Sequence, residues 1–237
     1  MPTALHGVEI RGADVILDDV RAEGFRVDSL YVSDNASNVH LNGASFGDTA
    51  RNSVSIVNGR NINFYGGRIW NAGQYTSDQY SSLYLFDIEP GQTQSVDHVN
   101  VFGTIFEGNS PVSGTGLVIV NNGRNASGRT NVLFQSTRHF GTNAAGGALR
   151  LRNGNGGIIK GIIVRSADFA VRVIANSKND DTVIEDSVFE GIHMGSAMFL
   201  YGALVGDGTV IRRLQSSAGR IAAIPVAKGA SPLIIAQ

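Results

Sequence analysis

Two kinds of short strand-like segment alternate along the chain, and this alternation is the feature that most constrains the fold. The first kind joins an apolar residue to an aromatic residue five or six positions later. Its members are Leu41/Phe46, Phe64/Trp70, Val101/Phe106, Phe134/Phe140, Val164/Phe169 and Ile184/Phe189. The second kind alternates apolar and other residues, and its members centre on Ile56, Ile88, Ile119, Leu151, Val173 and Leu200. Because the two kinds alternate strictly, we expect two series of strands, each stacked along one axis.

The spacing of these segments favours a solenoid over a sandwich. In a solenoid of parallel strands, each turn returns the chain by one strand spacing, about 4.8 Å. A sandwich instead needs tight hairpin turns between neighbouring strands. The dipeptides Asn42-Gly43, Asn58-Gly59 and Asn153-Gly154 follow strands at matching points of successive repeats, which is typical of corners. The sequence therefore predicts an all-β solenoid of parallel strands, a parallel β-helix of about seven to eight coils.

The aromatic residues of the first kind are expected to stack inside the coil as one ladder. That ladder would contain Phe46, Trp70, Phe106, Phe140, Phe169 and Phe189. We predict that residues 1–221 form the β-helix and that residues 222–237 form an apolar C-terminal strand or cap. Because a β-helix must cover its open ends, we also expect partner chains, most simply in a homotrimer, or a longer parent polypeptide.

Composition and charge exclude several classes of site and partner. The chain has no cysteine, which excludes disulfides, thiol nucleophiles and cysteine-based zinc sites. Its 19 Lys+Arg and 20 Asp+Glu give a net charge of −1, so we expect no nucleic-acid partner. No long apolar run or signal peptide is evident, so we expect no membrane partner. The five histidines lack metal-ligand spacing, and each is expected at the surface or a corner; neither metal nor cofactor is predicted.

Several coils resemble a known family. Residues 38–46 (NVHLNGASF) and 208–213 (GTVIRR) resemble coils of the right-handed parallel β-helix, the pectate-lyase-like superfamily. Residues 85–91 (LFDIEPG) are similar to the G-I-D-I-E-P-N coil of bacteriophage tailspikes and carbohydrate-active β-helix enzymes. The resemblance implies a right-handed, single-stranded helix and a polysaccharide partner. The chain lacks the Asp-Pro-His epimerase signature and a clear pair of polygalacturonase Asp-Asp motifs, so the resemblance does not select one activity.

The outward positions of the second strand kind are expected to form two columns. The first column reads Ser55, Asp87, Val118, Arg150, Arg172 and Phe199. The second column reads Val57, Glu89, Val120, Arg152, Ile174 and Tyr201. The carboxylates of Asp87 and Glu89 should lie together on the outside, about 6.5–7 Å apart by strand rise, with Arg150 and Arg152 roughly 10 Å away.

These columns supply the candidate site. Two carboxylates on one face can divide the roles of acid and of base or nucleophile, so Asp87 and Glu89 are the candidate catalytic residues. Arg150, Arg152 and Arg172 could bind a sugar carboxylate. The rings of Tyr75, Tyr80 and Tyr201 are candidates for sugar contact, the first two on an inserted loop over residues 71–82. In the alternative interpretation, Asp87 and Glu89 cap the corner before Pro90 and pair with arginines on adjacent coils.

Three functions remain open at this level. The first is a tailspike-type receptor-binding module, trimeric and located on a virion tail or outside the cell, with or without cleavage of its glycan. The second is a bacterial polysaccharide lyase, hydrolase or epimerase. The third is a non-catalytic structural or adhesive β-helix. The low lysine content and the abrupt ends favour the first, whereas the Asp87/Glu89 pair with its arginines favours an enzyme.

Overall fold

The computed structural model of the chain is all-β, and its described residues contain no helix. It describes residues 6–73, 84–91, 93–108, 118–121, 131–140, 149–152, 157–161, 163–167, 171–174, 183–192, 198–201, 210–216 and 233–235. The strands, in chain order, are β1 Val8–Ile10, β2 Ala13–Asp18, β3 Arg21–Glu23, β4 Leu30–Val32, β5 Ala36–Asn42, β6 Ser45–Gly47, β7 Val54–Ile56, β8 Gly59–Tyr65, β9 Arg68–Trp70, β10 Phe86–Ile88, β11 Val96–Phe102, β12 Ile105–Glu107, β13 Val118–Asn121, β14 Val132–Gln135, β15 Arg138–Phe140, β16 Leu149–Arg152, β17 Gly157–Lys160, β18 Ile163–Ala167, β19 Val171–Ile174, β20 Val183–Ile192, β21 Met198–Tyr201, β22 Val210–Ser216 and β23 Leu233–Ile235.

The strands repeat in threes, and each member of a triplet pairs with its counterpart in the next triplet. The first members form an eight-stranded sheet, here called sheet A, in the order β1-β4-β7-β10-β13-β16-β19-β21. The second and third members form a 15-stranded sheet, here called sheet B, whose two halves are joined through the long strand β20. Every described pairing is parallel, for example β7 with β10 and β8 with β11. Parallel sheets built from repeating strand triplets are consistent with the predicted β-helix.

The corner between the second and third strands of a triplet needs a backbone in the left-handed region. Gly43 (φ 62°), Gly66 (φ 68°) and Gly103 (φ 65°) occupy this corner in successive triplets. Glycine suits the position because it has no Cβ to clash in that conformation. The Gly43 amide donates to the Tyr65 carbonyl, and the Gly66 amide donates to the Phe102 carbonyl. The parallel hydrogen-bond ladder therefore continues through the corner.

An aromatic cluster fills the interior where the sheets face each other. The ring of Phe86 on sheet A lies 5.1 Å from Phe64, 5.8 Å from Phe106 and 6.1 Å from Phe134, each in an edge-to-face arrangement. All four of these side chains are at most 2% exposed. Edge-to-face packing of this kind stabilises a core beyond the burial of apolar area alone.

The predicted aromatic ladder is wrong at two of its described positions. The interior row runs Phe46, Ile69, Phe106 and His139, because these residues pair with one another in β6, β9, β12 and β15. Each lies five residues after its apolar partner in the preceding strand. Trp70 and Phe140 lie six residues after theirs, and this one-residue difference turns them to the outer side of the strand. Phe169 lies outside the described residues.

Trp70 nevertheless remains largely buried on the outer side. Its indole covers Gly47, where a Cβ would come within 2.3 Å of the ring. The guanidinium groups of Arg21 and Arg68 lie 5.4 and 5.3 Å from the ring centre. The indole Nε1 donates to Asp48 Oδ2 at 2.9 Å. A glycine beneath the ring and two cations beside it therefore hold Trp70 on the outer side.

The prediction that every histidine lies at the surface or a corner is wrong for His139, which is fully buried. Its ring stacks on Phe106 at 4.8 Å, and its Nε2 contacts Thr137 Oγ1 at 2.9 Å. Burial lowers the pKa of His139 to about 3. The imidazole therefore occupies, in its neutral form, a position that the three preceding triplets fill with Phe or Ile.

Candidate functional site

The outward column of sheet A has the composition predicted for it except at one position. Asp87 pairs with Ser55 on one side and with Ile119 on the other. Ile119 pairs with Arg150, and Arg150 pairs with Arg172. Ile119 therefore replaces the predicted Val118, which instead pairs with Phe86. The strand β13 is displaced by one residue from the prediction, because a run of four apolar residues (117–120) does not show which of them point inward.

The second outward column changes at the same strand. Arg152 pairs with Asn121 in β13 and with Ile174 in β19. Asn121 therefore takes the position predicted for Val120. Tyr201 pairs with Ile174, as the column requires. The structure describes only the backbone of Arg150, Arg152, Arg172 and Tyr201, and Tyr75 and Tyr80 lie outside the described residues.

The prediction that Asp87 is exposed is wrong, although its strand position is outward. Only 6% of the residue is accessible, and Glu89 is half-buried. The Asn52 amide donates to Asp87 Oδ2 at 2.9 Å, whereas the buried Oδ1 has no hydrogen-bond partner. Asn52, which lies just before β7 in the preceding turn, thus contacts Asp87 on the outer side of sheet A. Asp87 presents one satisfied and one unsatisfied carboxyl oxygen.

The electrostatic environment of Asp87 favours its protonated form. Burial, followed by repulsion from Glu89, raises the pKa of Asp87 to about 8, although Arg51 and the Asn52 hydrogen bond oppose the rise. A carboxyl group with this pKa holds its proton at neutral pH, where an ordinary carboxyl is ionised. The unpartnered oxygen is therefore the natural position for an acidic O–H.

Asn52, the hydrogen-bond partner of Asp87, makes four hydrogen bonds in all. Its side-chain Nδ2 donates to Asp87 Oδ2 and, at 3.1 Å, to Ser55 Oγ. Its Oδ1 accepts the backbone N–H of Tyr84 at 2.8 Å, and its own backbone N–H donates to Asp28 Oδ1 at 3.1 Å. Three successive turns of the chain therefore meet at one buried amide. Such a fully bonded side chain restricts the Asp87 carboxyl to one orientation.

A buried ion pair anchors this network. Asp28 is fully buried, and Arg51 binds both of its carboxyl oxygens, with Nε donating to Oδ1 at 2.8 Å. Burial would raise the pKa of Asp28, but hydrogen bonds from Arg51 and His6 outweigh it and hold the pKa below its usual value. His6 lies 3.4 Å from Asp28 Oδ2 and stacks on Tyr31 at 4.3 Å. Asp28 is thus ionised beside a protonated Asp87, and the two carboxyls have different charge states.

Sequence reasoning did not identify Asp28, Arg51 and Asn52. A signal was present, because Asp28 and Asn52 each lie two residues before a sheet A strand and each is followed by serine. Stacked turns bring such positions together. The polar pairs could therefore have been read as one buried network rather than as two surface turns.

The described residues contain no group of three or more His, Cys, Asp or Glu side chains that could hold a metal ion. The same part of the chain contains no helix long and apolar enough to cross a membrane. The site supplies three chemical groups: a proton donor in Asp87, a neighbouring carboxylate in Glu89, and arginines at positions 150 and 172 of the same column.

Comparison with known proteins yields one structural likeness. No family model and no curated protein matches the chain. A tailspike protein from Acinetobacter baumannii bacteriophage Fri1, described as a capsular polysaccharide depolymerase, resembles it with a TM-score of 0.40 and 15% sequence identity. The match covers 86% of this chain and 36% of the tailspike, so the chain spans about a third of that protein's length.

Proposed function

We propose that the outer face of sheet A binds a polysaccharide and that Asp87 and Glu89 cleave it. The observation that carries the proposal is the state of Asp87: an outward-facing strand position with a buried carboxyl whose pKa is about 8. At neutral pH this group has a proton to donate. Glycoside hydrolysis requires such an acid together with a second carboxylate.

In the proposed reaction, the protonated Asp87 gives its proton to the oxygen of the glycosidic bond as the bond to the anomeric carbon breaks. Glu89 accepts a proton from a water molecule, whose oxygen bonds to that carbon. The products are two shorter glycans, and proton exchange with solvent restores both carboxyls. Glu89 follows directly after β10 and lies two residues beyond Asp87. In extended chain such residues are about 6.5–7 Å apart, which lies within the range of roughly 6.5–9.5 Å for inverting enzymes.

The arginines of the same column define the proposed substrate class. Arg150 lies two strand spacings from Asp87, roughly 10 Å, and Arg172 lies one spacing further. Guanidinium groups bind planar carboxylates in a bidentate manner. We therefore propose that Arg150, Arg152 and Arg172 bind an acidic polysaccharide, with contacts from Tyr75, Tyr80 and Tyr201.

We also propose a fold for the whole chain. Residues 1–221 form a right-handed β-helix of about seven to eight coils in the style of the pectate-lyase-like superfamily, and residues 222–237 form a terminal strand or cap. We propose that the chain serves as a tailspike-type receptor-binding module, assembles as a homotrimer and acts on a virion tail or outside the cell. Light scattering that finds a monomer would remove the trimer from this assignment.

The test is a glycan-array screen followed by product analysis on each glycan that binds. Asp87→Asn and Glu89→Gln should abolish cleavage while binding and circular dichroism persist. Asp34→Asn, which alters an exposed carboxyl at another corner, is the matched control and should cleave normally. Full cleavage by both site variants would refute the assigned roles.

The products also distinguish the remaining reactions. Hydrolysis adds water and creates no double bond, so a new ultraviolet-absorbing double bond in the product would replace the hydrolase proposal with a lyase. Binding of a glycan without cleavage by the unmodified protein would leave an adhesive module and would overturn the catalytic proposal.

A further inference from the structure

A polar cleft lies at a different corner of the fold from the Asp87 network. Its volume is about 340 Å³, and it is lined by Asn35, Asn58, Gly59, Arg60 and Ser95. These residues lie at or just before the starts of β5, β8 and β11, where the chain passes from sheet A to sheet B. The volume is at the lower end of the range for small-molecule sites, roughly 300–1,000 Å³.

The side-chain amide of Asn58 links two neighbouring corners of the cleft. With its nitrogen as donor, Asn58 bonds the Ser95 carbonyl at 3.0 Å and Asn35 Oδ1 at 3.3 Å. Asn35 has a left-handed backbone, φ 61°, directly after Asp34 at φ 53°. Two left-handed residues in succession and the contacts between turns hold this corner in one shape. Preformed donors and acceptors are what a binding site for a polyhydroxylated ligand requires.

Arg60 is the charged group of the cleft, and its guanidinium has no carboxylate partner among the described residues. In register it pairs with Ser37 on one side and with Asp97 on the other. Asp97, however, is already engaged by Asn131 at 2.7 Å and by His98 at 2.7 Å. Five other described arginines do have carboxylate partners, whereas Arg26 and Arg138, like Arg60, have none among the described residues; the five are Arg11, Arg21, Arg51, Arg68 and Arg213. An exposed, unpaired guanidinium beside fixed amides is suited to a planar anion.

We propose that this cleft binds one acidic sugar unit, with its carboxylate on Arg60 and its hydroxyls on the amides of Asn35 and Asn58. The guanidinium fork matches a carboxylate in two parallel hydrogen bonds. Because both N–H groups of Asn58 are used within the corner, the donor to a sugar hydroxyl would be the Asn35 amide nitrogen, and the amide oxygens of Asn35 and Asn58 would accept from other hydroxyls. The lining residues that the structure describes contribute no large apolar side chain, which disfavours a lipid or an aromatic ligand. The proposal does not depend on cleavage at Asp87.

The test uses binding alone, with monosaccharides that have no glycosidic bond to cleave. Sodium glucuronate and sodium galacturonate are titrated into the full chain by calorimetry, with glucose and inorganic phosphate as comparison ligands. We expect saturable binding of a uronate, weaker by about tenfold or more in Arg60→Gln. Arg26→Gln, which removes another exposed arginine, should bind as the unmodified chain does.

Three results would overturn the proposal: no uronate binding by the unmodified chain, equal binding by Arg60→Gln, or equal affinity for glucose. Equal binding of phosphate would replace the carboxylate specificity with a general anion site. A uronate-terminated oligosaccharide that binds about tenfold more tightly than the free sugar would identify the polymer as the source of the ligand. Because no turnover is measured, failure here leaves the Asp87 proposal unaffected, and loss of cleavage in Asp87→Asn leaves this one unaffected.

Discussion

Replacing Asp87 with asparagine should remove a large pH dependence from the stability of the fold. The pKa of Asp87 is raised from 3.8 to about 8, so between these values the folded state holds a proton that the unfolded state has lost. Its contribution is fully present below the unfolded pKa and is lost as the pH rises through the folded pKa. For this pair of values, the linkage relation gives a loss of about 4 kcal/mol between pH 5 and pH 8. The amide introduced by the substitution cannot titrate, so the variant should lack this component.

The measurement is urea unfolding of the unmodified chain and of Asp87→Asn at pH 5 and pH 8. The variant should be relatively more stable at pH 8, by an amount near the calculated loss, with an unchanged dependence on urea concentration. Asp34→Asn controls for the conversion of an exposed carboxyl to an amide and should keep the pH dependence of the unmodified chain. Parallel pH profiles for the unmodified chain and Asp87→Asn would mean that Asp87 ionises normally, and the argument for a proton donor would fail.

Three other perturbations test the network and the core. Burial depresses the pKa of His139 to about 3, so the unmodified chain should lose about 2 kcal/mol of stability between pH 7 and pH 5, a pH dependence of opposite sign to that of Asp87. His139→Phe removes the titrating group, and urea unfolding of this variant should not show that loss. Phe106→Ala should cost about 3–5 kcal/mol in urea unfolding, and a negligible effect would contradict the aromatic cluster. Arg51→Met should cost about 3–5 kcal/mol of stability because it leaves Asp28 charged and buried. The double variant Arg51→Met/Asp28→Leu should recover much of that loss in thermal unfolding. If the single and the double variant were equally destabilised, the result would argue against the ion pair.

The repeat alone was enough to predict parallel strand series, because alternating residues show which face of a strand is buried and recurring segments show which strands stack. That reasoning placed Phe46 and Phe106 in one interior row and aligned Asp87 with Arg150 and Arg172. It failed at Trp70 because the ladder was built on the aromatic residue six positions after Phe64, whereas the inward position is Ile69, five positions on, and successive residues of a strand point to opposite sides.

The burial of Asp87 was decided only by the tertiary structure. Its neighbours in space, Asn52 and Arg51, lie more than thirty positions earlier in the chain, and only the stacking of turns brings them to it. Alternation could place Asp87 on the outer side of its strand, but the pKa of a carboxyl depends on what covers it and on which charges lie near it. The pattern of residues therefore determined the strands and their order, whereas the packing of the turns determined which carboxyl keeps its proton.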